Sequence, residues 1–320
     1  MMTVVPPALI VAYKRNQNVI DLVETLVLAG VSRIYVAIDG PKDIDFSSSA
    51  TELSSRLRRL KSVESIHLNI WERKSNLGPA VSVITAIDWF FANEESGIIL
   101  EDDLKITTDS VRFFADALMS FKTNTSVGII SGSNFWGDIG TQYSLPFARY
   151  PITWGWATWK DRWSELRNVF FSPDPSFNKV GKLNERYFWW VGLRRCLSGE
   201  QDAWDIPFAS YFRSLNKMCV FPPVNLISNI GVDVFAGNTR EKKWPLFHPI
   251  SGYIQLDHSL FTEEFDQKYC LDSLILRQIY GVSNRNILSG FFFSVTQRLS
   301  PSRFSRQESL SFRVKKTELP

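Results

Sequence analysis

The hydrophobic pattern of the first third of the chain alternates between short unbroken runs and a helical period. Ala8-Leu9-Ile10-Val11-Ala12 is a continuous apolar run of strand length, as expected where a strand is covered on both faces. After polar Lys14-Arg15-Asn16, the residues Val19, Leu22, Val23 and Leu26 recur at helical spacing, and Gly30 falls where a C-terminal cap belongs. Residues 33–38 predict a second strand, stopped by Asp39-Gly40-Pro41. Leu53, Leu57 and Leu60 predict a helix, and residues 66–70 a third strand. A longer helix is predicted from Pro79 to Asn93, with Val83, Ile84, Ile87, Phe90 and Phe91 facing inward, before a fourth strand at Gly97-Ile98-Ile99-Leu100. Strands alternating with helices predict an α/β fold with a mostly parallel sheet and right-handed crossovers.

Ligands in such sheets sit beyond the carboxyl ends of the strands. Those ends carry Tyr13-Lys14-Arg15, Asp39-Gly40, residues 74–78, and Glu101-Asp102-Asp103. Each has a plain explanation, since loops are polar and Asp-Gly is a common turn. Their convergence on one edge is what predicts a ligand site. Neither G-x-G-x-x-G nor G-x-x-x-x-G-K-[ST] occurs, which disfavours dinucleotide and P-loop chemistry. Three adjacent carboxylates repel one another. A hard, oxygen-preferring cation such as Mn²⁺ or Mg²⁺ would compensate them while bridging a diphosphate. The alternative is a helix N-terminus decorated with acids, favoured by the helix dipole.

Composition narrows the picture modestly. A chain of 320 residues with 44% hydrophobic content fits one large α/β domain with additions, or two ordinary ones. The net charge of +3 selects no partner class. Cys196, Cys219 and Cys270 are too few and too scattered for a disulfide framework or a zinc cluster, and suggest a reducing compartment. The start of the chain lacks the basic and apolar regions of an export signal, and no apolar run approaches the roughly 18 to 20 residues of a bilayer span. A soluble or peripherally attached cytoplasmic protein is expected.

The combination of Ile10-Val11-Ala12-Tyr13-Lys14-Arg15, Ile38-Asp39-Gly40, Asn76-Leu77-Gly78 and Gly97-Ile98-Ile99-Leu100-Glu101-Asp102-Asp103-Leu104 resembles the GT-A glycosyltransferases. It is similar in particular to the group around N-acetylglucosaminyltransferase I and its bacterial relatives. Residues 150–159, with Trp154, Trp156 and Trp159, and Asn225-Leu226-Ile227-Ser228-Asn229-Ile230-Gly231 look like the bacterial members. The resemblance covers roughly residues 5 to 250 and implies a GT-A type, Rossmann-like sheet with a C-terminal extension. It implies a hexosyl- or N-acetylhexosaminyltransferase that uses a nucleoside diphosphate sugar, UDP-sugars favoured, and a carbohydrate or lipid-linked glycan acceptor in surface polysaccharide or lipopolysaccharide synthesis. Arg15, Asp39 and Asn76 would then serve donor binding, with Asp39 reading the base edge. Asp102 would lie near the ribose and donor sugar, Asp103 would ligate Mn²⁺ or Mg²⁺, and Glu101 would support the site from behind. Arg73 or Lys74 would add charge near the phosphates, or remain a solvated loop cation.

An inverting transfer needs a carboxylate to take the acceptor proton. Asp205, at the start of an apparent helix carrying Phe208, Tyr211, Phe212 and Leu215, is the first candidate, and its Trp-Asp setting resembles that of the catalytic base in the N-acetylglucosaminyltransferase I group. Asp202 is the rival, or a helix cap. Trp154, Trp156 and Trp159 either line the acceptor site or form a packed layer beneath it. Relatives often carry a histidine after the Asn-Ile-Gly stretch, where this chain has Ala236-Gly237-Asn238-Thr239-Arg240; His248 is the near substitute.

The reading divides the chain into a donor half (1–105), an acceptor and catalytic half (106–260) and a C-terminal helical extension with a basic tail (261–320). Residues 285–320 hold seven basic and two acidic side chains beside Phe291-Phe292-Phe293. Such a segment suits peripheral contact with anionic lipid on the inner membrane, or is a poorly ordered tail; nucleic acid is not expected. Two rivals remain: a sugar nucleotidyltransferase, which wants a glycine-rich basic loop near the N-terminus, and a carbohydrate-binding or membrane-associated protein that keeps the fold without turnover.

Overall fold

A computed structural model describes residues 4–42, 44–63, 66–137, 144–170, 181–231 and 265–282. The alternating pattern folds as expected. β1 (Ala8–Ala12), β2 (Arg33–Ile38), β3 (His67–Glu72) and β4 (Ser96–Glu101) alternate with α1 (Asn16–Leu28), α2 (Ile44–Val63) and α3 (Pro79–Asn93). Gly30 closes α1 with a φ of 86°, a left-handed conformation that costs glycine little. Pro79 opens α3, where its missing N–H would have had no helical partner. The third strand ends two residues later than expected, because Glu72 keeps pairing with Ile38 of β2.

Downstream follow β5 (Leu104–Lys105), α4 (Thr108–Ser120), β6 (Val127–Ser131), β7 (Phe147–Ala148), β8 (Trp156–Trp159), α5 (Lys160–Leu166), α6 (Leu183–Leu197), α7 (Asp205–Ser214), β9 (Met218–Val220), β10 (Ser228–Asn229) and α8 (Asp272–Gln278). The main sheet has the order β3-β2-β1-β4-β8-β6-β9-β7. Only β8 and β7 run against the rest. This is the expected α/β architecture, a Rossmann-like and mostly parallel sheet flanked by helices. A separate two-stranded ribbon pairs β10 with β5, just past the acidic triplet.

Successive side chains of a strand point to opposite faces, so each strand feeds two cores. Ala8, Ile10 and Ala12 join α1, α2 and α4 on one face. Leu9 and Val11 join α3, α5, α6, α7 and α8 on the other, around an aromatic mass that includes Trp156, Trp163, Trp189, Trp204 and Phe208. Of residues 265–282, expected to begin an extension, Phe265 stacks on Phe121 of the first core, whereas Leu271 and Ile275 join the second. Leu271 N–H bonds Phe147 O, the Arg149 side chain pairs with Asp272 at 2.7 Å, and Ile275 is buried.

Among the described residues the cysteines are free thiols, and no helix is long and apolar enough to cross a membrane. Residues 236–240, His248, Phe291-Phe292-Phe293 and the basic tail lie outside the described residues.

Candidate active site at the carboxyl edge of the sheet

The acidic triplet lies at the end of β4, beside the end of β1, and its three carboxylates face different surroundings. Asp102 turns back toward β1. Its Oδ2 accepts the backbone N–H groups of Tyr13 at 2.7 Å, Lys14 at 2.9 Å and Arg15 at 3.3 Å, and its Oδ1 pairs with the Arg15 guanidinium at 3.5 Å. Charged acceptors hold such N–H groups strongly, so the three-residue connection between β1 and α1 is wrapped around this carboxylate. Asn18, buried in α1, completes the brace by donating to the backbone carbonyls of Asp102 and Leu104, both at 2.8 Å. Asp102, expected near the ribose and donor sugar, holds the loop that carries Arg15.

Asp103 faces the β5–β10 ribbon. Ile230 N–H bonds its backbone carbonyl at 2.8 Å, and the Asn229 side-chain amide reaches Oδ2 at 3.4 Å. Burial first, and then the charge of Asp102, push its carboxyl up to about 6, against the opposing influence of Arg15. Glu101 is raised well above its ordinary range, by burial and then by the charges of Asp103, Asp102 and Asp205. The last of these joins the two halves of the chain. Asp205, first residue of α7, stands close enough to the triplet for its charge to act on Glu101. Asp205 reaches solvent, yet protein crowds it enough that lost hydration raises its carboxyl, partly offset by backbone N–H groups at the helix start.

The tryptophans explain how α7 reaches this place. Trp204 is buried and stacks on Trp156, with ring centroids 5.9 Å apart and 23° between planes. Trp156 sits in β8, pairing with Ile99 of β4. The start of α7 is thus pinned over the strand that ends in Glu101. The expected acceptor trio separates. Trp156 is only 1% exposed and belongs to the core. Trp159 pairs with Ser96 at the opposite end of β4, under the Arg162 guanidinium at 4.3 Å. For these two the packed-layer alternative is the correct one. Trp154 is half-buried at the site end of β8, edge-on to Phe135 at 5.3 Å.

A second loop pair lies on the other side of the β1 end, where Asp39 N–H bonds Ala12 O at 2.8 Å. Asp39 is 5% exposed and accepts the Asn76 side-chain amide at 2.9 Å and Leu77 N–H at 3.1 Å. Asn76 also donates to Gly40 O at 3.0 Å, and any side chain at Gly40 would collide with the backbone of Ser75. Asp39, expected to read the base edge, is a buried tie between two loops. Arg73 is likewise no phosphate cation. Its guanidinium is buried, bonds Ser82 and Thr85 of α3, pairs with Asp39 at 3.8 Å, and is lowered to about 10 chiefly by burial. Lys74 remains exposed. Asp202, the rival base, lies three residues before α7 and is half-buried.

Among the described residues no three His, Cys, Asp or Glu side chains form a preorganised metal cage. Asp103, with an Oδ2 that the 3.4 Å contact from Asn229 does not saturate, is the carboxylate here that a hard cation of the Mg²⁺ type would find, its other oxygens then coming from phosphate and water. The residues that motif reading did not single out for a role are Asn18, Asn229 and Gly231. Asn229 and Gly231 stood in a quoted motif, whereas nothing in the spacing marks Asn18.

No family model matches the chain, and no curated protein sequence matches it significantly. Solved structures with a similar layout include HddC from Yersinia pseudotuberculosis complexed with GMP-PN, at 11% identity and a TM-score of 0.32, covering 49% of this chain and 77% of that one. A second structure of the same protein gives 12% identity and a TM-score of 0.31, with coverage of 49% and 77%. A protein designated a glucose-1-phosphate thymidylyltransferase, from Bacillus anthracis and in complex with a sucrose, gives 11% and 0.31, with coverage of 58% and 82%. At these values the likeness assigns no activity.

Proposed function

We propose that this protein is a metal-dependent glycosyltransferase that moves a sugar from a nucleoside diphosphate sugar, a UDP-sugar foremost, to a carbohydrate hydroxyl with inversion. The observation that supports it is that Trp204, stacked on Trp156 of β8, holds the start of α7 over β4, close enough for the charge of Asp205 to act on Glu101. Asp103 on the donor side and the solvent-reaching Asp205 would then serve the two substrates of a transfer from one edge of the sheet.

In this reading the donor lies over the Arg15 and Asp39–Asn76 loops, with its diphosphate toward Asp103 and the Arg15 guanidinium. Asp103 would hold Mn²⁺ or Mg²⁺, which would supply Lewis-acid stabilisation of the leaving diphosphate. Asp205 takes the proton of the acceptor hydroxyl as that oxygen bonds to the anomeric carbon and the bond to the diphosphate oxygen breaks. Its raised carboxyl brings proton affinity closer to neutral pH, where a general base is more effective. Half-buried Trp154 offers an apolar ring face to a sugar. Nucleoside diphosphate binding, measured in Mn²⁺ and again in EDTA, tests the donor half. Equal affinity in the two conditions removes the metal role.

A sugar nucleotidyltransferase is the second reading, and the designation of the Bacillus anthracis neighbour agrees with it rather than with glycosyl transfer. Against it stands the β1–α1 connection. It is short, has no glycine, and its N–H groups already bind Asp102. A triphosphate cradle needs such groups turned outward.

A further inference from the structure

Two residues of the β10 segment meet the Asp103 carboxylate, and neither has a role in the chemistry above. The ribbon fixes the backbone of Asp103 through Ile230 N–H, while Asn229 pairs with Leu104 in antiparallel register. The Asn229 side chain then works in both directions. Its Oδ1 accepts Gly231 N–H at 2.6 Å, and Nδ2 points to Asp103 Oδ2 at 3.4 Å. Because a backbone N–H can only donate, the amide oxygen must face Gly231, and the NH₂ group is obliged to face the carboxylate. The contact is long for a hydrogen bond to a charged acceptor. It orients Oδ2 without saturating it, leaving lone pairs for another partner. Gly231 closes the arrangement. A Cβ there would overlap Asp103 Oδ2 and come 3.0 Å from Asp103 Cβ, so any side chain pushes the carboxylate aside.

We propose that Asn229 is a positioning residue that sets which oxygen of Asp103 is presented to the cation and diphosphate, and that Gly231 is the position where a side chain would undo that setting. This rests on the glycosyltransferase reading through the role given to Asp103. The physical reason is general: groups that orient a ligating carboxylate are commonly worth about 10- to 100-fold in metal affinity. They act by fixing a rotamer that would otherwise have to be ordered when the metal binds.

The test is Mn²⁺ binding in the presence of UDP, followed by the electron paramagnetic resonance of free Mn²⁺, on the full chain and three variants. Asn229→Ser removes the amide donor but leaves a hydroxyl able to accept the Gly231 N–H in a similar turn. Its half-saturating Mn²⁺ is expected to rise about tenfold or more, with the metal-free melting temperature unchanged. Gly231→Ala keeps both side chains and displaces the carboxylate, so it is expected to shift in the same direction. It replaces Asn229→Ser if that variant melts early. Asp103→Ala is the reference. If it abolishes Mn²⁺ binding while Asn229→Ser and Gly231→Ala bind like the parent, the positioning role is overturned and the function stands. If Asp103→Ala also binds like the parent, the metal reading itself fails, and the positioning role with it.

Discussion

Asp205 at the start of α7 and Glu101 at the end of β4 stand near enough for the charge of one to raise the carboxyl of the other, although they lie far apart in the chain. Such pairing of acids is unfavourable for folding alone, and acids so placed are frequent at functional sites. Asp205→Asn keeps the shape and removes the base. It is expected to lower kcat by about 10² to 10⁴ while donor Kd changes little. Steady-state kinetics with direct donor binding check this, and a full loss in Asp202→Asn instead moves the role to Asp202.

Asp103 gives the site a pH signature. In the metal-free chain its carboxyl is pushed up to about 6, chiefly by burial and Asp102. Between the ordinary carboxylate range and that value the folded chain holds a proton that the unfolded chain has released. This group therefore favours folding more as pH falls through about 6. Metal binding has the opposite dependence, because protons compete for the same oxygens. Melting temperatures of the metal-free protein are expected to gain less on acidification in Asp103→Asn than in the parent, and Mn²⁺ affinity of the parent to fall below about pH 6.

Asp102 is expected to behave as a brace. Removing its carboxylate leaves the N–H groups of Tyr13, Lys14 and Arg15 without this acceptor. Asp102→Ala should cost about 1–3 kcal/mol of stability and raise the donor KM. Asp102→Asn keeps a carbonyl acceptor and should cost less. Urea denaturation of the two variants measures the difference.

The tryptophans divide by place. Trp156→Ala opens a cavity beneath Trp204 and Phe208 and is expected to cost about 3–5 kcal/mol. Trp154→Ala touches a half-buried ring at the site end of β8 and should chiefly raise the acceptor KM, with a smaller loss of melting temperature. Equal destabilisation by both would remove Trp154 from the acceptor site.

The first four strands and three helices were legible in the sequence because each apolar run or period reports the layer that covers it. Residues 33–38 and 79–93 fold with the bounds the pattern implies. The position of the acidic triplet at a strand end followed from the same pattern. What the sequence did not carry was the direction of each side chain. Asp39, Arg73 and Asp102 read as polar groups at strand ends, and the structure turns each toward a neighbouring loop or helix, since buried polar groups must find partners. Trp156 and Trp159 failed as site residues for a related reason. Their loop-like Gly155 precedes a strand that inserts antiparallel between β4 and β6, and this crossover has no local signal.

Product analysis tests glycosyl transfer most directly. The full chain is incubated with Mn²⁺ and either a panel of nucleoside diphosphate sugars with carbohydrate acceptors, or nucleoside triphosphates with sugar 1-phosphates. Glycosyl transfer predicts release of nucleoside diphosphate in the first mixture, abolished by EDTA and by Asp103→Ala, and no pyrophosphate in the second. Pyrophosphate release from the second mixture, with no nucleoside diphosphate from the first, would contradict it and assign nucleotidyl transfer instead.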